Sequence, residues 1–116
     1  MIDTELPALL KTLCPRVFTD FAPVTTLRPY VTFQLIGGRP LRYVEGAAAD
    51  KRNSVVQINV WASSRHEANG LARQIEDALC LTAVFSATPD GEIVGDFDAD
   101  IPVYGCRQDF QILSSR

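Results

Sequence analysis

Three groups of residues have types and spacings that could do chemistry. Asp96, Asp98 and Asp100 alternate along the chain as the first ligands of a calcium loop do. Such a loop turns on a glycine at its sixth position and closes with a bidentate acid at its twelfth. Those positions hold Ile101 and Arg107, so Asp96–Asp100 reads as a solvated acidic connection. His66 is the only histidine; a Cys–His nucleophile would need Cys14, Cys80 or Cys106 brought to it by the fold. Its position among polar residues early in a helix fits an ordinary exposed side chain. Gly37-Gly38 lacks the G-x-x-x-x-G-K-[ST] pattern of a phosphate loop. No C-x-x-C spacing signals zinc or a disulfide framework. We therefore assign no catalytic, metal-binding or cofactor-binding residue and expect no enzyme and no cofactor.

What remains is chemistry of contact. Trp61 shares a strand side with Gln57 and Asn59, away from Val56, Ile58 and Val60. Either a second layer covers it, such as the first helix, or it belongs to a contact surface, where tryptophan is enriched. Charge is also unevenly placed. From Gln74 to Cys106 there is no Lys or Arg, against Glu76, Asp77, Asp90, Glu92, Asp96, Asp98 and Asp100. The stretch Gly38–Asn53 carries Arg39, Arg42, Lys51 and Arg52 against Glu45 and Asp50. Such a separation suits contacts between copies. With a net charge of −3 the chain is a poor nucleic-acid binder by electrostatics. The candidate interface residues are thus Arg39, Arg42, Lys51, Arg52, Trp61, Glu76, Asp77, Asp96, Asp98 and Asp100.

The elements that position these residues start from Ser54–Cys80. Val56, Ile58, Val60 and Ala62 alternate with Gln57, Asn59 and Trp61, the period of a half-buried strand. Ser64 and Glu67 form a capping box, and Ala68, Leu71, Ala72, Ile75, Ala78 and Leu79 recur at helical spacing. Upstream, Ile2, Leu6, Leu9, Leu10 and Leu13 share a helical face, with Asp3 or Thr4 as cap, Pro7 in or near the first turn, and Pro15 as the stop. Arg16–Thr19 and Tyr30–Ile36 read as strands. Gly38–Asn53 has no persistent period and reads as a long loop, or an extended hairpin with Arg42-Tyr43-Val44 as one arm. With little to bury, it is expected to order only against a neighbour. Thr88-Pro89-Asp90-Gly91 carries the chemistry of a turn between Ala83–Ala87 and Glu92–Asp96. The last strand runs from about Val103 to Leu113. The expected fold is α+β: a single domain, 1–116, with a mostly antiparallel sheet flanked by two helices in the order α-β-β-loop-β-α-β-β.

Composition agrees. A chain of 116 residues with 47% hydrophobic content has the size and apolar content of one globular domain. Three widely spaced cysteines suit a reducing compartment. The acidic start MIDTELPALL lacks a secretory n-region, and no apolar run is long enough for a bilayer. A cytoplasmic fold with no membrane partner is the expectation.

The ensemble of elements resembles the tail-completion family of long-tailed bacteriophages, which includes tail-terminator and tail-to-head joining proteins. The likeness spans about Leu6 to Leu113. It rests on Leu9-Leu10 in the first helix, Val17-Phe18, and Pro29-Tyr30 opening Val31–Ile36. It continues through Val56–Ala62, Ser64 and the Ala68/Leu71/Ile75/Leu79 helix, and closes with Tyr104 and Asp109-Phe110. The resemblance implies an assembly protein that forms or joins a ring, usually of six subunits, at the head-proximal end of the tail. Its partners would be further copies of itself, the tail tube protein and a head-completion or connector protein; its location would be the virion, after the host cytoplasm. The alternatives are a small cytoplasmic ligand-binding domain or enzyme with a fold-assembled site, and a head-closure protein.

Overall fold

A computed structural model describes residues 2–38 and 51–115. The elements are α1 (Ile2–Lys11), β1 (Val17–Thr19), β2 (Tyr30–Gly37), β3 (Lys51–Ala62), α2 (Arg65–Leu81), β4 (Ser86–Pro89), β5 (Val94–Asp98) and β6 (Val103–Ser115). The strands form one six-stranded sheet in the order β1-β2-β3-β6-β4, with β5 also paired to β6. Among the described strands only β1 and β2 run parallel. The fold is therefore the expected α+β domain with a mostly antiparallel sheet.

The period-two pattern of β3 decides which way the sheet faces. Ser54, Val56, Ile58, Val60 and Ala62 are buried, while Asn53, Val55, Gln57, Asn59 and Trp61 between them are half-buried. The register carries this alternation to the neighbours: Val56 lies opposite Leu35 and Phe110, Ile58 opposite Phe33, and Val60 opposite Val31 and Cys106. Ala68, Leu71, Ala72, Ile75 and Leu79 of α2 and Ile2, Leu6 and Leu10 of α1 join the same buried cluster. Both helices thus lie on one face of the sheet. The opposite face has no helix over it among the described residues.

Helix α2 starts as its sequence signals. The Ser64 hydroxyl accepts from Glu67 N at 3.2 Å, and Glu67 Oε1 accepts from Ser63 N at 3.1 Å. Helix α1 differs in detail from expectation. It begins at Ile2, so Asp3 and Thr4 lie inside its first turn rather than at the cap, while Pro7 lies near that turn as expected. The ring removes one backbone donor there, but complete burial of Leu6 and Leu10 on either side holds the helix on the sheet.

Several boundaries differ for physical reasons. Residues 39–50 lie outside the described residues, and with them Arg39, Arg42 and most of the expected 38–53 loop. Its last part is strand: Lys51, Arg52 and Asn53 pair with Ser115, Ser114 and Leu113. Polar side chains hide a strand from a hydrophobic pattern, although β6 satisfies their backbone groups equally well. Thr88 and Pro89 belong to β4, and Asp96, Phe97 and Asp98 to β5. The arms of the expected turn do not pair with each other. Each pairs along β6, β4 at Phe110–Leu113 and β5 at Val103–Arg107. Gly91, at φ +107, makes the bend between them.

Gly70 is exposed inside α2, and a Cβ there would meet nothing within 4 Å. Gly70→Ala is expected to stabilise the protein by about 0.5–1 kcal/mol, since glycine in a helix interior costs about that much. Chemical denaturation should show a higher midpoint with an unchanged slope.

Candidate functional site

The β3–β6 ladder separates the charged candidates. Lys51 and Arg52 are exposed at the end where β3 begins. Asp96, Asp98 and Asp100 lie at the other end, because β5 pairs with β6 only between Val103 and Arg107, opposite the close of β3. At about 3.3 Å per residue, Lys51 and Ala62 stand about 36 Å apart along the strand. The basic and acidic groups therefore occupy opposite ends of a molecule whose longest dimension is 52 Å.

The acids are not equivalent. Glu76 Oε1 accepts from Gln108 Nε2 at 2.8 Å, which ties α2 to β6. Asp96 lies 3.9 Å from the Arg107 guanidinium. Asp98 Oδ1 accepts from Asp100 N at 3.0 Å and from Ile101 N at 3.5 Å, closing the turn into β6. The carboxylate that imitates a calcium ligand thus caps its own backbone. Asp77 and Asp100 are exposed.

Trp61 lies on the face away from both helices, so α1 does not cover it. Its ring crosses Gly105 on β6, where a Cβ would come within 2.6 Å of it. Tyr30 stands directly opposite Trp61 on β2. Around the ring opens a cleft of about 250 Å³ whose walls include Val24, Arg28, Asp98, Ile101 and Val103. Arg28 Nη1 donates to Pro102 O at 3.0 Å, tying the loop before β2 to the turn before β6. Trp61 is half-buried in this cleft.

A second polar group, which the sequence did not reveal, fixes the acidic end. Arg65 Nη1 donates to Gly105 O at 2.6 Å and Arg65 Nη2 to Asp96 O at 2.6 Å. One side chain of α2 thereby clamps β5 and β6, with its guanidinium 5.5 Å from the Tyr104 ring centroid. Tyr104 packs on Phe97 with centroids 4.9 Å apart. A lone arginine at the start of a helix has no periodic signature, and only the fold reveals its carbonyl partners.

Two thiols, Cys80 and Cys106, are shifted away from the thiolate. Burial pushes the Cys106 thiol up, though Arg65 draws it back. Its Sγ donates to Asn69 Oδ1 at 3.1 Å and accepts from Arg65 at 3.5 Å. Burial also raises Cys80, and Glu76 and Asp77 raise it further. A reactive cysteine needs the opposite shift. His66 is exposed, and no hydrogen bond joins it to a cysteine among the described residues. Nor do the described residues group three His, Cys, Asp or Glu side chains suited to a metal ion. No described helix is long and apolar enough to cross a membrane.

Arg65→Ala should cost about 2 kcal/mol, since two charge-assisted bonds to backbone carbonyls are lost at a partly exposed site. Amide exchange should rise first in β5. Gly105→Ala should cost about 1–3 kcal/mol by forcing the indole off the sheet, with a red shift in Trp61 emission. An unshifted spectrum would show that the ring does not rest on Gly105.

No curated protein matches the chain. The family model described as "Tail completion protein gp17" matches residues 1–111. That span covers both helices, β1 to β5 and β6 up to Gln111, including the Trp61 cleft and both charged ends. The chain thus belongs to the phage tail-completion family, whose members are structural proteins of bacteriophage tail assembly.

Proposed function

We propose that the protein forms or joins a ring, with six subunits expected, at the head-proximal end of the tail, where it stops tube growth and offers the surface that meets the head. It acts by assembly and not by catalysis. It folds in the host cytoplasm before it joins the virion, and its partners are further copies of itself, the tail tube protein and a head-completion or connector protein. The observation that carries this reading is the separation of charge along the sheet, Lys51 and Arg52 at one end and Asp96, Asp98 and Asp100 at the other. A closed ring needs two different, complementary surfaces on every copy. Exposed ion pairs are weak singly and screened by salt, so these charges steer and register the contact while apolar groups hold it. Tail capping is then an outcome of geometry: a ring whose outer face does not repeat the tube's surface ends the tube.

Lys51→Glu with Arg52→Glu should slow ring formation on tails at low salt, and the deficit should shrink as salt is raised. Complementation of a phage lacking the protein, scored as finished tails under the electron microscope, is the measurement. Finished tails at wild-type yield in both low and high salt would remove the charge argument. A second test is direct: the purified protein imaged with isolated tails should appear as a ring at one end only.

A further inference from the structure

We infer that the cleft over Trp61 is a socket for a second copy of this chain, and that the opposite end of the sheet, around Ile36, Leu113, Lys51 and Arg52, is the plug that enters it. This rests on the ring reading above and gives it named surfaces. In the walls of the cleft, Val24 is 94% exposed and Ile101 52%. Large apolar side chains gathered at that exposure next to a half-buried tryptophan mark a contact surface rather than a solvated loop. Asp98 and Arg28 both line the cleft, and exposed Asp100 follows Asp98 in the same turn, so acids outnumber the one arginine there by two to one.

At the other end of the β3–β6 ladder the pattern repeats with the opposite sign. Ile36, 44% exposed, stands in the bulge between Leu35 and Gly37, and Leu113, 42% exposed, lies opposite Asn53. Lys51 and Arg52 stand exposed beyond them. Strand β1 pairs only with Val31–Phe33, and Asp20, at φ +68, turns the chain away, so no described strand lies beside Gln34–Gly37 on the side away from β3. Two acidic sockets brought together would repel, and so would two basic plugs. Only unlike ends cover apolar surface and neutralise charge in one contact, which selects a second copy in head-to-tail order. Trp61, fixed over Gly105 and facing Tyr30, supplies a rigid aromatic floor to the socket.

The test uses two double variants of the full chain. Val24→Asp with Ile101→Asp damages the socket; Ile36→Asp with Leu113→Asp damages the plug. All four positions are exposed, and circular dichroism with thermal melting checks that each variant folds. Sedimentation at concentrations up to millimolar should show the wild type self-associating and each variant alone associating about ten-fold or more weakly, the scale of losing a buried anchor. An equimolar mixture of the two should form one-to-one dimers and stop there, because one intact socket meets one intact plug. Variants that associate like the wild type, a mixture no tighter than either variant alone, or a wild type that stays monomeric would each overturn the proposal. Normal tail capping by both variants in complementation would overturn this interface while leaving the tail-completion role standing.

Discussion

The long antiparallel pairing of β3 with β6 is the constraint on which the rest depends. It runs unbroken from Lys51↔Ser115 to Ala62↔Tyr104. Side chains alternate between faces along both strands, so this one register fixes what is buried and what is offered to solvent. A slip by a single residue would turn Val56, Ile58 and Val60 outward and carry Gln57, Asn59 and Trp61 beneath the helices. The same ladder sets the distance between the two charged ends. Its length also explains how β6 serves two short strands in succession, β5 on its first half and β4 on its second.

One-sided layering follows from the helices. The apolar stripes of α1 and α2 both need cover, and one sheet face receives them both. That leaves the other face to a polar band of Gln57, Asn59, Asp109 and Gln111, with Gln57 Nε2 donating to Asp109 Oδ1 at 3.3 Å. Such a face tolerates water without exposing a large apolar area. Within the helix side a few polar groups are kept for placement. Gln108 is buried there and donates to Glu76 and to Gly91 O, which fixes the chain between β4 and β5 beneath α2. Arg65 does the same for β5 and β6. These bonds are strong because they join charged or buried partners, and each would cost more broken than it contributes made.

Much of this was legible from residues alone, and the failures have physical causes. The Val56–Ala62 strand and the Ala68–Leu79 helix showed through because each keeps one period against one core. The extra start of β3 did not, since Lys51-Arg52-Asn53 has no apolar face and is strand only because β6 extends to Ser115. Pro89-Asp90-Gly91 has turn chemistry and does bend the chain, but turn chemistry says nothing about which strand each arm will join. Asp96-Phe97-Asp98 resembled a ligand series because a β-strand with acids on one face has the same alternation as a calcium loop. The sidedness of Trp61 was readable, while its cover was not: it comes from Gly105, distant in sequence, and from loop residues with no periodicity. The uneven charge was legible, while the exposed apolar residues Val24 and Ile101 beside Trp61 were not, because they lie in connections without a period.

A contact surface of the kind proposed would leave only a faint mark in sequence. Catalysis needs a few atoms held to fractions of an ångström, and that demand leaves fixed residue types at fixed spacings. Assembly asks instead for complementary patches on rigid ends of a scaffold, and many side chains can supply an apolar knob or a surplus charge. Here the scaffold's rigidity comes from the β3–β6 ladder, the helix-face core and the Arg65 clamp, none of which requires Val24, Ile101, Lys51 or Asp100. Fold and surface are therefore separable. The exposed residues at either end contribute little to the buried core, whereas the turn held by Asp98 and the indole seated on Gly105 join core and surface. Those two residues stand where the internal order of the sheet sets the shape of its surface.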